Sequence, residues 1–143
     1  MAVIVGGGAD VVEAGSQEQR KHVFAIDGSS DFLNLIRDLF QDEGYHVTTT
    51  NFVPTSFEQI ATAHPDVLIV DVAAGQQAGW ELLERLHGGA AIFGIPTLVV
   101  STDRRLLTWA QDQAAQYGTH RYLEKPFDLD ALLTTIQEMI GQA

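Results

Sequence analysis

The sequence predicts an α/β protein: a doubly wound (βα)5 unit with a parallel five-stranded sheet and helices on both faces. Three observations predict it. The runs Val23–Ile26, Val67–Val70 and Thr97–Val100 are continuously apolar rather than alternating, as strands covered on both faces are. The stretches around them carry apolar residues at helical spacing. Each of the three runs also ends in a polar residue, Asp27, Asp71 and Ser101 in turn.

The elements follow in order. After the first run, Gly28-Ser29-Ser30 reads as a turn, and Asp31 to Glu43 has apolar residues at 32, 33, 35, 36, 39 and 40. Ser30 is the expected start cap and Gly44 the expected stop. His46 to Thr50, rich in β-branched residues, is the second strand. Ser56-Phe57-Glu58-Gln59 fits a capping box that opens a short helix to about Ala63, where His64-Pro65 breaks it. The second apolar run leads to a helix from about Ala78 to His87 with Trp80, Leu82, Leu83 and Leu86 apolar, then a loop from Gly88 to Gly94. Beyond the third run, Asp103 to Tyr117 reads as helix and His120 to Glu124 as strand. Lys125-Pro126 is a break, and Asp128 caps a last helix that Gly141 ends.

Composition narrows the function classes. The chain has 143 residues, enough for one domain of ordinary size. Its net charge is −11, and 45% of its residues are hydrophobic, so it can bury a real core. The adjacent basic pairs Arg20-Lys21 and Arg104-Arg105 are too few for a phosphate-neutralising surface, which disfavours nucleic-acid binding. The absence of cysteine excludes disulfides, thiolate metal sites and cysteine nucleophiles. There is neither a span-length apolar run nor a signal-peptide pattern, and a cytoplasmic domain with no membrane association is the expectation. Residues 1–20 read as a flexible leader: Val3-Ile4-Val5-Gly6-Gly7-Gly8 imitates a dinucleotide turn, but Val11 stands where the third glycine belongs.

Five alternating strands and helices predict the flavodoxin-like order 2-1-3-4-5, with the polar His46–Thr50 strand at an edge. Such sheets bind ligands outside the carboxyl ends of their strands, at the switch point between the first and third. Asp27 and Asp71 end those two strands, Ser101 ends the fourth and Lys125 follows the fifth. One Asp after a strand is ordinarily a turn former. Two carboxylates, a hydroxyl and an ammonium from four segments converging on one edge are better read as a site.

These residues resemble the receiver domain of two-component response regulators, over about residues 21–141. The marks are Ile26-Asp27, Asp66 to Asp71 followed by Gly79-Trp80-Glu81-Leu82-Leu83, Ile95-Pro96 leading to Ser101, and Tyr122-Leu123-Glu124-Lys125-Pro126-Phe127. The resemblance implies that Asp71 accepts a phosphoryl group from a histidine kinase or phosphotransfer protein. It implies a Mg²⁺ site made of Asp27, Asp71 and the Ala73 backbone carbonyl. Ser101 and Lys125 would contact the phosphoryl group, Ser101 and Tyr122 would act as the switch pair, and Pro126 would follow a cis peptide that aims the lysine. A receiver is not an enzyme beyond assisting its own phosphorylation and dephosphorylation. The face of the fourth helix, fifth strand and fifth helix is where the family meets partners or dimerises. Leu106, Leu107, Trp109 and Tyr117 exceed one narrow apolar stripe there.

Two departures bear on that reading. The family has an acidic pair at the end of the first strand, and here it is Asp27-Gly28. Loss of one anionic oxygen ligand predicts weak Mg²⁺ binding. The loop after Asp71 lacks the family's proline and has Ala74-Gly75-Gln76-Gln77-Ala78-Gly79 instead. Gly28 therefore keeps a pseudo-receiver open, the same fold serving as an interaction module without phosphorylation. A flavin mononucleotide carrier shares the strand order, but Gly28-Ser29-Ser30 only approximates its phosphate loop. His22, His46 and His120 are expected to be solvated strand-end residues rather than zinc ligands. With residues 21–141 assigned, no output domain is expected in this chain, so its signal would pass to a downstream protein.

Overall fold

The computed structural model describes residues 20–51, 56–72, 95–114 and 120–143. Its elements are β1 (His22–Ile26), α1 (Ser30–Asp42), β2 (His46–Thr50), α2 (Ser56–Ala63), β3 (Val67–Asp71), β4 (Thr97–Ser101), α3 (Arg104–Ala114), β5 (His120–Glu124) and α4 (Leu129–Ile140). All strand pairs are parallel and the sheet order is β2-β1-β3-β4-β5. The doubly wound α/β class and the 2-1-3-4-5 order are thus as the sequence predicts. Residues 1–19 of the expected leader (1–20), the helix expected over Ala78 to His87 and the loop expected over Gly88 to Gly94 lie outside the described residues.

The strand alternation sorts the core into two layers. Val23 and Ala25 of β1 pack with Leu33, Ile36 and Phe40 of α1 and Leu132 and Ile136 of α4. Phe24 and Ile26 face the other way, against Ile60 of α2 and Leu107 of α3. Neighbouring strand residues point to opposite faces, so one continuous apolar run serves both layers. Each fully buried aliphatic side chain contributes about 1.5–3 kcal/mol.

The helix ends refine the sequence reading. The cap of α1 is Ser29, not Ser30: Ser29 is extended (φ −97°, ψ 113°) and its Oγ accepts the Phe32 N–H. The reason lies one turn back, where the Ser29 N–H donates to Asp27 Oδ1 at 2.9 Å and holds Ser29 out of the helix. Ser56, expected as a cap, is the first residue of α2. Asp128 caps α4 through the Ala131 N–H at 2.7 Å, and Gly141 ends that helix with φ 82°. The Tyr45 hydroxyl and the Lys21 ammonium then donate to the Gly141 and Ile140 carbonyls, fastening the end of α4 to the start of the sheet.

His22 overturns the expectation of solvated strand-end histidines. It is buried at 9% exposure and stacks on its register partner His46, with ring centroids 4.1 Å apart. Its Nε2 lies 2.8 Å from Thr48 Oγ1, and its backbone N–H donates to Asp66 Oδ2 at 2.7 Å. Parallel pairing of β1 and β2 puts the two rings side by side, so the His46 ring covers His22 from water. His46 is exposed as expected, and the His120 side chain lies outside the described residues.

Candidate functional site

The same alternation decides which polar side chains meet. Asp27, Asp71 and Lys125 continue the parity of Ala25, Ile69 and Leu123, all on the α1/α4 face. Register aligns their backbones along one edge: Ile26 pairs with Val70 just before Asp27 and Asp71, Asp71 stands opposite Val100, and the Lys125 N–H donates to Ser101 O at 2.7 Å. Tyr122 takes the other parity, against Phe24, Ile26 and Leu107 on the α2/α3 face, and Ser101 continues Thr97 and Val99 on that side.

Lys125 is the centre of the arrangement. Its Nζ lies 2.8 Å from Asp27 Oδ2 and 3.1 Å from Asp71 Oδ1. The three side chains are 17%, 4% and 15% exposed, a sheltered cluster with an opening to solvent at Asp71 and Lys125. Two carboxylates against one ammonium leave an excess negative charge. Burial pushes the Asp71 carboxyl above the ordinary carboxylate range, Asp27 pushes the same way, and Lys125 opposes only in part. Asp27 is held on both oxygens, Oδ1 by the Ser29 N–H and Oδ2 by Lys125.

Ser101 is fully buried, and its Oγ accepts the Asp103 N–H at 3.0 Å, a short turn that leads into α3. Tyr122 is half-buried, and that burial raises its phenol pKa. The Lys125–Pro126 peptide is cis. Ala73 lies outside the described residues. The structure therefore brings together Asp27, Asp71 and Lys125, and sets Ser101 and Tyr122 on the opposite parity of adjacent strands.

Magnesium prefers hard oxygen ligands, keeps several waters, and is commonly held by one or two carboxylates. Asp27 and Asp71 are of that kind, and both turn an oxygen toward the same ammonium. Gly28 supplies no side chain, although a Cβ built there meets nothing within 4 Å. Among the described residues no three His, Cys, Asp or Glu side chains form a metal-sized cluster. The donor set fits a largely hydrated Mg²⁺ and, among the described residues, has no third carboxylate to tighten it.

One residue of the site escaped sequence reasoning. Phe32 counted only as an apolar position of the first helix, yet the Lys125 Nζ sits 4.1 Å from its ring centroid. Phe127 meets that ring edge-on at 5.9 Å. The available signal was its place in the first turn of α1, five residues beyond Asp27.

Comparison with known proteins agrees with this geometry. The response regulator receiver domain family matches residues 23–137. The polar-differentiation response regulator DivK of Brucella ovis is 23% identical over 123 residues, spanning 86% of this chain and 98% of that protein. The DNA-binding transcriptional regulator NtrC of Rhizobium meliloti is 25% identical over 120 residues, which are 84% of this chain and 24% of that protein. Among solved structures, chemotaxis protein CheY4 of Vibrio cholerae superposes with a TM-score of 0.72 at 25% identity, over 84% of this chain and 98% of that one. With the parallel 2-1-3-4-5 sheet and the carboxylate–lysine cluster at its switch point, the match over most of the chain makes this protein a member of the response regulator receiver domain family.

Proposed function

We propose that residues 21–141 form a phosphoacceptor receiver in which Asp71 takes a phosphoryl group from a histidine kinase or a phosphotransfer protein. The observation that carries this reading is the Lys125 ammonium held between Asp27 and Asp71. In the transfer, an Asp71 carboxylate oxygen attacks the phosphorus of a phosphohistidine. The P–N bond breaks, its electron pair returns to the imidazole, which then takes a proton, and an acyl phosphate remains on Asp71. Positioning and charge neutralisation are most of what a protein contributes to such a step. Lys125 supplies one positive charge. Bound Mg²⁺ would supply more, with Asp27, Asp71 and the Ala73 carbonyl as its ligands.

The phosphoryl group carries nearly two negative charges beside Lys125, about one more than the carboxylate it replaces. In this reading Lys125 swings its ammonium from Asp71 to the phosphoryl oxygens. The Ser101 hydroxyl donates a hydrogen bond to another of them, and Tyr122, packed on the same layer as Ser101, moves with it. The signal leaves by protein contacts in the cytoplasm, on the face of α3, β5 and α4. That face carries the exposed pairs Arg104–Glu124 at 3.0 Å and Arg121–Glu138 at 2.9 Å. Leu107 is buried under it and Leu106 half-buried, while the Trp109 side chain and Tyr117 lie outside the described residues. Self-association through this face would appear as a concentration-dependent shift in size-exclusion elution.

Incubation with acetyl phosphate and millimolar Mg²⁺, followed by intact mass spectrometry, tests the reading. A phosphoryl adduct on the wild type that is lost in Asp71→Asn supports it. No adduct on the wild type overturns it in favour of the pseudo-receiver. Gly28 favours that second reading, because the position with room for a further acidic ligand offers none.

A further inference from the structure

We propose that Phe32 is a positioning residue for Lys125, its ring face forming a wall that keeps the ammonium between the two carboxylates. The proposal rests on the phosphoacceptor reading and assigns that site a component from α1.

Lysine has a flexible four-carbon stem, and its ammonium is a compact charge that water solvates strongly. To face Asp27 and Asp71 together, Lys125 must surrender most of that freedom. The two carboxylates restrain it from one side, at 2.8 and 3.1 Å. The Phe32 ring restrains it from another, its centroid 4.1 Å from Nζ. An aromatic face carries partial negative charge, so the contact is attractive as well as excluding water. It is also compatible with Lys125 moving to a phosphoryl group, because a ring attracts a cation without a fixed hydrogen-bond direction.

The wall is itself braced. Phe127 meets the Phe32 ring edge-on, with centroids 5.9 Å apart and planes at 70°. Both rings pack against the core layer shared by α1 and α4. Phe32 also gives its backbone N–H to the Ser29 cap, and the Ser29 N–H in turn holds Asp27 Oδ1. One turn of chain therefore orients a carboxylate at its start and the ring that faces the partner ammonium at its end. Phe127, two residues beyond Lys125, closes the arrangement from the other side.

The chain has two lysines, Lys21 and Lys125, so amine labelling reports Lys125 with Lys21 as an internal reference. The full chain is prepared with phenylalanine, 4-fluoro-, 3,5-difluoro- and pentafluorophenylalanine at position 32, together with Phe32→Tyr and Phe32→Leu. Fluorination drains charge from the ring face with little change in shape. The ratio of Lys125 to Lys21 acetylation by acetic anhydride is read by peptide mass spectrometry. The rate of phosphorylation by acetyl phosphate with Mg²⁺ is read in parallel.

The labelling ratio is expected to climb along the fluorine series, by about threefold or more at its end, and to stay near wild type in Phe32→Tyr. The phosphorylation rate is expected to fall in the same order, by about threefold to tenfold in Phe32→Leu. A flat labelling ratio overturns the proposal, because packing alone does not follow ring charge. A graded ratio with an unchanged phosphorylation rate overturns it as well. A graded ratio in a protein that takes no phosphoryl group sustains the wall and refutes the phosphoacceptor reading instead.

Discussion

The Lys125 ammonium lies 2.8 Å from Asp27 Oδ2, closing a contact between residues 98 apart in the chain. It ties the turn after β5 to the end of β1, strands that never touch, across β3 and β4. Asp71 sits beneath the same ammonium at 3.1 Å. The site is thus also a structural clasp, and its charges weigh on stability whether or not it is phosphorylated.

Removing the cation tests the clasp. Lys125→Met leaves two sheltered carboxylates facing each other and is expected to cost about 1–3 kcal/mol, below the range for a fully buried pair because the site is partly open. Adding Asp71→Asn to that variant should restore most of the loss. Urea melts of the two single variants and the double variant measure the coupling. A Lys125→Met loss within a few tenths of a kcal/mol would show that the clasp contributes nothing.

Neutralising Asp71 has the opposite sign. The Asp71 carboxyl is held above its ordinary pKa by burial and by Asp27, so its ionised form is a burden on the native state at neutral pH. Asp71→Asn is expected to raise the thermal midpoint in the presence of EDTA. Excess Mg²⁺ should stabilise the wild type and leave the variant behind. Calorimetry with and without the ion checks both, and an Asn variant that melts below wild type in EDTA contradicts the account.

Gly28 offers a gain of function. A Cβ there meets nothing within 4 Å, so an acidic side chain can be added without steric conflict. Gly28→Asp should tighten Mg²⁺ binding by about tenfold or more, since a hard cation gains an anionic oxygen ligand. It should also lower stability without the ion, through repulsion from Asp27. Isothermal titration with MgCl2 decides the first point, and unchanged affinity contradicts it.

Acid sensitivity should trace to His22. Burial, with the stacked His46 adding to it, lowers its pKa, and the Asp66 carboxylate opposes without prevailing. The native ring is neutral while the unfolded ring protonates near its ordinary value of about 6.5. This contribution is therefore complete above that pH, and is lost as the pH falls from there through the depressed native value. His22→Gln should lose less urea stability than wild type between about pH 7.5 and about pH 5.5. Equal losses in the two proteins would assign the acid sensitivity to other groups.

Much of this protein was legible in its residues. Continuous apolar runs name the buried strands because a strand covered on both faces has no water-facing position. The aspartates after the first two runs mark the candidate site, since ligands gather at the carboxyl edge of such sheets. Asp128 and Gly141 mark the ends of α4 through local hydrogen bonding and backbone freedom, which near neighbours decide. Other features depend on pairings that no short window of sequence contains. His22 is buried because parallel register sets His46 against it, and Ser29 displaces Ser30 as the cap because Asp27 claims its N–H. The ring of Phe32 meets Lys125 only once α1 and the turn after β5 pack on the same face. Spacing and residue type by themselves determined the class, the strand order and the charged groups of the cluster. Tertiary structure decided which groups touch, because contact distance and burial arise only when segments far apart in the chain share one face of the sheet.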